Sequence, residues 1–524
     1  MTDATAQQAL QTQRAAEPDH RWWTLTAVSL GIFMLLIDIT IVNVALPDIQ
    51  KDLSSSFSDL QWVVDAYALT LAAMLLTSGS LADLFGRRLF YLIGVCAFTV
   101  ASLLCGVATN TLFLQLARGF QGVGGAIMFA VSLALLADAF RGKDRGIAFG
   151  VWGAVAGIAV AIGPLVGGAL TSGLSWRWIF YVNLPIGVIV LVITALRVRE
   201  SKDPSPRRPD WFGFVTFTAS LAFLVFGLIK ASDRGFTDSL VLGCLAAAAV
   251  LLVVFIGVEL VTRYPMFDLS LLRKPTFTGG SIAAFGISAS LFSMLLYLTI
   301  YLQDVLSYSP FQTGLRLLVA TGGLFLVAGI AGRLSSYVPV RWLIGPGLLI
   351  IGIGLLLMRG LTAGSQWTHL VPGLIISGIG AGLVNPPLAS TAVGVVPPRQ
   401  AGMASGMNST FRQVGIATGI ALLGSLFASK VGSAAGDAFA KVPGIGPHAA
   451  QIKASLTNGE LSKALLSLPP QERRPVAFAA RSAFTTGLNY ILLVAGLIAL
   501  VSSVLSWALI RTRDFTNAET IPGG

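Results

Sequence analysis

The 524 residues are 55% hydrophobic and only 11% charged, with a formal net charge of +11 and a mean hydropathy of +0.79. A soluble domain carries about 25% charged residues, and its core could not conceal this much apolar side chain, so a soluble protein is excluded. The basic residues lie between apolar runs rather than on one face, which argues for lipid headgroups and membrane orientation and against a nucleic-acid partner.

The composition predicts an all-α polytopic membrane protein, and at about 20 residues per crossing the chain holds about fourteen apolar runs. A polar tail, 1–21, precedes a run at 22–46 that lacks a small-residue cleavage site and so reads as a retained first span. Runs at 58–81, 88–108, 112–139, 146–171 and 178–197 complete a first bundle of six, 22–197. A charged linker, 198–209, leads to two additional central spans within 210–260. A second bundle of six, 276–511, follows at 276–303, 312–335, 341–359, 367–393, 402–430 and 482–511, with an extracellular loop at about 431–481 and a tail at 512–524. RRLFYLIG (Arg87–Gly94) and VRWLIGPG (Val340–Gly347) echo each other at an offset of about 253 residues, which also maps the first span onto the one near 276. Duplicated halves around a central site are a common plan of secondary transporters.

The short loops around Gly86–Arg88, Arg141–Arg145, Arg197–Pro209 and Leu271–Pro275 carry the Lys/Arg excess and fall on one side with both termini. The positive-inside rule makes that side cytoplasmic.

Asp38, in LIDITIVNVALP, is the single charge in the run from Trp22 to Leu46. A central Asp costs roughly 2.5–3.5 kcal/mol on insertion scales, so it needs a partner or a task. Asp65 in the second span and Arg118 in the fourth share the outer half of the membrane with it, two acids and a base able to compensate one another. One reading is a fixed ion pair that orients three helices. The other is an acid whose proton affinity rises with desolvation and falls as a guanidinium approaches, so that helix movement loads and releases a proton. Asp38 is deeper than Asp65 and is the preferred carrier. Arg118, Gln121, Gly122 and Gly125 recur at i, i+3, i+4 and i+7, one polar and small stripe suited to a cavity wall.

GSLADLFGRRLFYL places Gly79, Asp83, Gly86, Arg87 and Arg88 in a hairpin between the second and third spans, where glycine permits a tight reversal and arginine holds the cytoplasmic face. In the fifth span Gly150, Gly153 and Gly157 recur at helical spacing and are followed by Gly163-Pro164 and Gly167-Gly168, small residues for close packing and a proline able to bend the helix. Cys96, Cys105 and Cys244 read as small buried hydrophobes, and no nucleotide, hydrolase, metal or cofactor motif is present.

These stretches, with SWRWIFYVNLPIG (Ser175–Gly187), YPMFDLSLLRKPTF (Tyr264–Phe277), YLQDVLSYSPFQTGL (Tyr301–Leu315) and AGMASGMNSTFRQVG (Ala401–Gly415), resemble in order the fourteen-span drug:proton antiporter branch of the major facilitator superfamily. The resemblance covers most of the chain. It implies a plasma-membrane exporter of lipophilic, often cationic drugs, dyes or antibiotics, working by alternating access, driven by protons and functional as a monomer without a cofactor. It assigns proton coupling to Asp38 and Arg118, the conformational switch to the Asp83–Gly86–Arg87 hairpin, and antiport to the helix of Gly163, Pro164, Gly167 and Gly168. Ala159, Val319 and the absence of an acid from the second-half counterpart of the hairpin (Gly332–Arg341) depart from the family pattern. A substrate cavity between the halves is expected to draw on Asn43, Trp62, Tyr67, Gln121, Phe129, Tyr301, Gln303 and Asn385, since aromatic faces attract lipophilic cations. Proton-coupled symport of an organic solute would use the same acids with reversed flux. A membrane enzyme lacks paired catalytic side chains here, and a sensor lacks an output domain.

Overall fold

The structure, a computed structural model, describes residues 20–55, 57–140, 143–202, 210–262, 265, 267–335, 337–397, 400–439 and 470–515. All its described regular elements are helices. The N-terminal half comprises α1 (His20–Asp52), α2 (Phe57–Phe85), α3 (Arg87–Gly106), α4 (Thr111–Ala139), α5 (Lys143–Gly173) and one span made of α6 (Trp178–Tyr181) and α7 (Asn183–Arg197). The additional pair is α8 (Trp211–Arg234) and α9 (Ser239–Val261). The C-terminal half starts with α10 (Pro275–Ile287) and α11 (Ser293–Ile300), fused into one span by π-helical turns at Ser288–Phe292 and Tyr301–Val305. It continues through α12 (Pro310–Leu334), α13 (Arg341–Leu357), α14 (Val371–Gly394), α15 (Ala401–Phe439) and α16 (Pro470–Leu509).

Local chemistry sets several boundaries. Asn110 caps α4 by accepting the Phe113 N–H at 2.9 Å, and Ser309 with Gln312 forms a capping box ahead of Pro310 on α12. Twelve described helices are long and apolar enough to cross a membrane; α5 joins them if its segments 144–160 and 165–171, bent by 43°, are one span, and α13 is a shorter apolar helix. The described helices therefore give twelve candidate spans, or thirteen with α5, against the fourteen expected.

Three sequence expectations shift. The helix of the first span continues past Leu46 to Asp52. Residues 431–439 and 470–481, read as loop, belong to α15 and α16, while 440–469 lie outside the described residues. Hydropathy marks where lipid ends, whereas helix propensity in segments such as AFAARSA (477–483) carries the helix further. Cys96 is exposed rather than buried, because it lies on a face of α3 with Leu89, Ile93, Val100, Leu103 and Val107, all exposed at alternating spacings of four and three. That apolar outward stripe suits a lipid surround.

The halves repeat one packing scheme: α2 and α3 lie on α4, and α12 and α13 lie on α14. Each half has its own apolar core. Between them α2 and α4 meet α15, and α5 meets α12 and α14. Contact is tight at the end marked by the α2–α3 hairpin, where Gly79 and Gly402 approach backbone to backbone and a Cβ on either would overlap the other's carbonyl. Gly332 meets Gly146 and Gly150 in the same way. The α8–α9 pair sits outside the bundles, with α8 against both α2 and α15.

Candidate functional site

The first-span carboxylate is wholly enclosed. Asp38 and Gln121 have no exposed surface, and Arg118 keeps 1%. Arg118 Nη1 donates to Asp38 Oδ2 at 2.6 Å and to Gln121 Oε1 at 2.7 Å, while its Nε donates to the Val63 carbonyl at 3.0 Å. Asp38 Oδ1 accepts from Gln121 Nε2 at 2.9 Å and Asn183 Nδ2 at 3.1 Å. Ser102 Oγ accepts from Gln121 at 2.8 Å and from Asn183 at 3.3 Å. The Tyr67 ring lies 4.2 Å from the guanidinium carbon. Five helices, α1 through α4 and α7, thus converge on one ion pair. Removing one partner of such a pair costs roughly 3–5 kcal/mol, because it strands the other charge in a low dielectric.

The described contacts of the network join two charges, Asp38 and Arg118. Asp65 is half-buried on α2 and is not among the described partners of Arg118. Spacing along the chain placed Asp65 at the right depth, but depth does not set azimuth around a helix. Tyr67 and Gln121, expected to line a substrate cavity, are buried in this network instead. The Tyr67 hydroxyl and Asn183 Oδ1 are enclosed without hydrogen-bond partners.

The hairpin joins the halves. Asp83 Oδ1 pairs with Arg87 Nη2 at 2.9 Å and accepts the Gly402 N–H at 2.9 Å, and its Oδ2 accepts the Met403 N–H at 2.8 Å. Those N–H groups belong to the first turn of α15, where unpaired donors and the helix dipole favour an anion. Gly86 has φ of +124°, a conformation side chains rarely adopt. Glu200, which sequence reading passed over, caps α3 by accepting the Arg88 and Leu89 N–H groups at 3.0 Å each, and Arg88 also donates to the Ala195 carbonyl.

On α5, Gly163 and Gly167 lie against Thr40 and Ile41 of α1, and Gly157 lies against Leu324 of α12. Gly168 has open space at its Cβ position, and the Pro164 side chain lies outside the described residues.

The other cavity expectations scatter. Trp62 stacks against Phe226 of α8 with ring centroids 5.7 Å apart and receives Lys230 Nζ at 5.2 Å. Phe129 packs edge-on to Trp152 at 6.0 Å within the N-terminal half. Tyr301 is in the C-terminal core, stacked on Phe484 at 6.1 Å. Gln303 is half-buried near the π turn, and the Asn43 side chain lies outside the described residues. Asn385 accepts from Arg412 Nη2 at 2.7 Å. An aromatic residue within an apolar run says nothing about which neighbour covers it, so packing partners override the residue-type argument.

Residues 28–420 match the profile described as Major Facilitator Superfamily. The chain belongs to the major facilitator superfamily. It is 39% identical over 407 residues to Multidrug resistance protein Stp of Mycobacterium tuberculosis, covering 78% of this chain and 76% of that one. It is 32% identical over 489 residues to the Tetracenomycin C resistance and export protein of Streptomyces glaucescens, covering 93% and 91%. Among solved structures, the human organic anion transporter MFSD10 superposes with a TM-score of 0.59 at 16% identity, covering 92% of this chain and all of that one, a likeness of fold. As a superfamily member the chain is a transporter rather than an enzyme.

Asn183, Ser102, Glu200 and Arg412 were missed by sequence reasoning. A lone asparagine in the run 178–197 and a lone arginine in 402–430 were the available signals.

Proposed function

We propose that this protein is a drug:proton antiporter that exports amphiphilic drugs, dyes or antibiotics across the plasma membrane by alternating access, with both termini cytoplasmic. The observation that carries the reading is the enclosed Asp38–Arg118 pair, a titratable acid held within the N-terminal bundle by groups on five helices. Protonating Asp38 removes the charge that holds Arg118, so proton uptake and the geometry of α2 and α4 are linked.

Helix α2 supplies the mechanical link to the other half. Near one end it holds Arg118 through the Val63 carbonyl and the Tyr67 ring, and at the other it holds the α15 N-terminus through Asp83. Residues 63 and 83 are about 30 Å apart along a helix at 1.5 Å per residue. Opening the halves at the hairpin end requires release of Asp83 from α15, and a shift of α2 then alters the clamp on Arg118. Each inward proton charge supplies about 2.3 kcal/mol per 100 mV to that cycle. The names of relatives in resistance and export support the direction of transport.

The test is dye movement in proteoliposomes under an imposed pH gradient. Wild-type protein concentrates the dye only with the gradient, and Asp38→Asn abolishes uphill movement while the protein still inserts. Uphill movement without any ion gradient, or wild-type behaviour of Asp38→Asn, overturns the reading.

A further inference from the structure

Two arginines within the spans contrast: Arg118 in the N-terminal half has a carboxylate partner, and Arg412 in the C-terminal half has none among the described residues. Arg412 on α15 is half-buried. Its one described hydrogen bond runs from Nη2 to the neutral Asn385 Oδ1, at 2.7 Å. Its Nε is enclosed without a partner. The runs 276–303, 312–335, 341–359, 367–393, 402–430 and 482–511 contain no Asp or Glu that could serve as counter-ion. A guanidinium offers five N–H donors in a fork matched to carboxylate geometry, and most of that capacity is unused here.

The helices that carry the pair meet the other half. Ser405, Ser409 and Arg412 stand at i, i+4 and i+7, one face of α15. Ser405 donates to the Ala130 carbonyl of α4, across the interface. Ser409 is fully buried and its hydroxyl has no hydrogen-bond partner. On α14, Pro386 adjoins Asn385 and would stand 3.6 Å from a Cβ at Gly153 of α5. Ala389, one turn from Asn385, packs into the N-terminal core. Arg412 lies about 10 Å along α15 from Ser405, away from the closed hairpin end.

We infer that Arg412, oriented by Asn385, is the docking point for a carboxylate on the exported compound, with the Ser409 hydroxyl as a second donor. The substrate class is then an amphiphile carrying a carboxylate, free or within a zwitterion. A purely cationic compound meets an uncompensated like charge there. This assignment rests on the export reading above but concerns binding, and it is testable separately.

The probes are rhodamine B, which carries a free carboxylate, and its ethyl ester, which does not. Binding is measured by fluorescence anisotropy with the purified protein in nanodiscs, and transport in proteoliposomes. Wild-type protein binds the carboxylate at least tenfold more tightly than the ester. Arg412→Gln removes that preference by weakening carboxylate binding and relieving the repulsion of the cationic ester, and the retained ester binding also reports intact folding. Asn385→Asp places an internal carboxylate on the guanidinium and removes the preference without deleting the arginine. A carboxylate bound no more tightly than the ester by wild-type protein, or equal losses for both dyes in Arg412→Gln, overturns the assignment. If the preference and its loss are observed while no dye moves under a pH gradient, the subsite stands and the export reading falls.

Discussion

Arg118 and Arg412 show two ways of keeping a cation among membrane-spanning helices. Arg118 has a carboxylate at 2.6 Å, an amide and a backbone carbonyl, with an aromatic ring over its face. Arg412 has a single neutral amide among the described residues. The first arrangement is internally complete, so its disturbance must come from a proton or from helix movement. The second leaves donor capacity without a partner among the described residues, which is what the proposed carboxylate would complete. On the two proposals above, the N-terminal half serves the ion and the C-terminal half the cargo.

The largest expected effect separates the two arginines by stability. Asp38→Leu strands Arg118 and lowers stability by roughly 3–5 kcal/mol, whereas Arg412→Leu removes a charge without counter-ion and leaves the melting temperature unchanged or raised. Thermal unfolding in detergent checks both, and equal destabilisation would break the comparison. Next comes the inter-half latch. Asp83→Asn weakens the hold on Arg87 and on the α15 N-terminus, at about 1–3 kcal/mol for the buried partners left behind, and shifts the population toward opening at the hairpin end. Spin-label distances between α2 and α15 at that end should broaden or lengthen.

A smaller effect tests whether Asn183 belongs to the ion site. Asn183→Ala removes one donor from Asp38 and one from Ser102, worth about 1 kcal/mol, and should shift the pH dependence of transport while leaving carboxylate binding at Arg412 unchanged. The smallest concerns Asp52, outside the apolar window of α1. Hydrogen bonds from Arg177 and Trp176 hold its carboxyl below the usual carboxylate range. A depressed native value means that the contribution is present above the unfolded value, about pH 4, and is lost as pH falls through the lower native value. Asp52→Asn should therefore lower the melting temperature slightly at pH 7 and not at pH 2. The effect is small because both side chains reach solvent.

The periodic and cumulative properties of this protein were legible from the chain alone. The succession of apolar runs, the reversal at Gly86, the small-residue stripe of α5 and the cost of burying Asp38 depend on local composition and spacing, and twelve or thirteen of the runs have a span-length apolar helix. The choice of Arg118 as partner for Asp38 was also accessible, because few charges exist to neutralise it. Azimuth and packing were not. Asp65 is not among the described partners of Arg118, while Trp62, Phe129 and Tyr301 pack against Phe226, Trp152 and Phe484.

What the sequence determined by itself was the solvent, the number of crossings and the scarcity of charge, because hydration costs add residue by residue. What only the tertiary structure decided was which scarce polar groups meet: Asn183 reaches Asp38 across 145 residues, Asp83 reaches Met403 across 320, and Arg412 meets an amide instead of an acid. Those contacts depend on the rotation and register of whole helices, which the packing of small residues across the two bundles sets and no local pattern encodes.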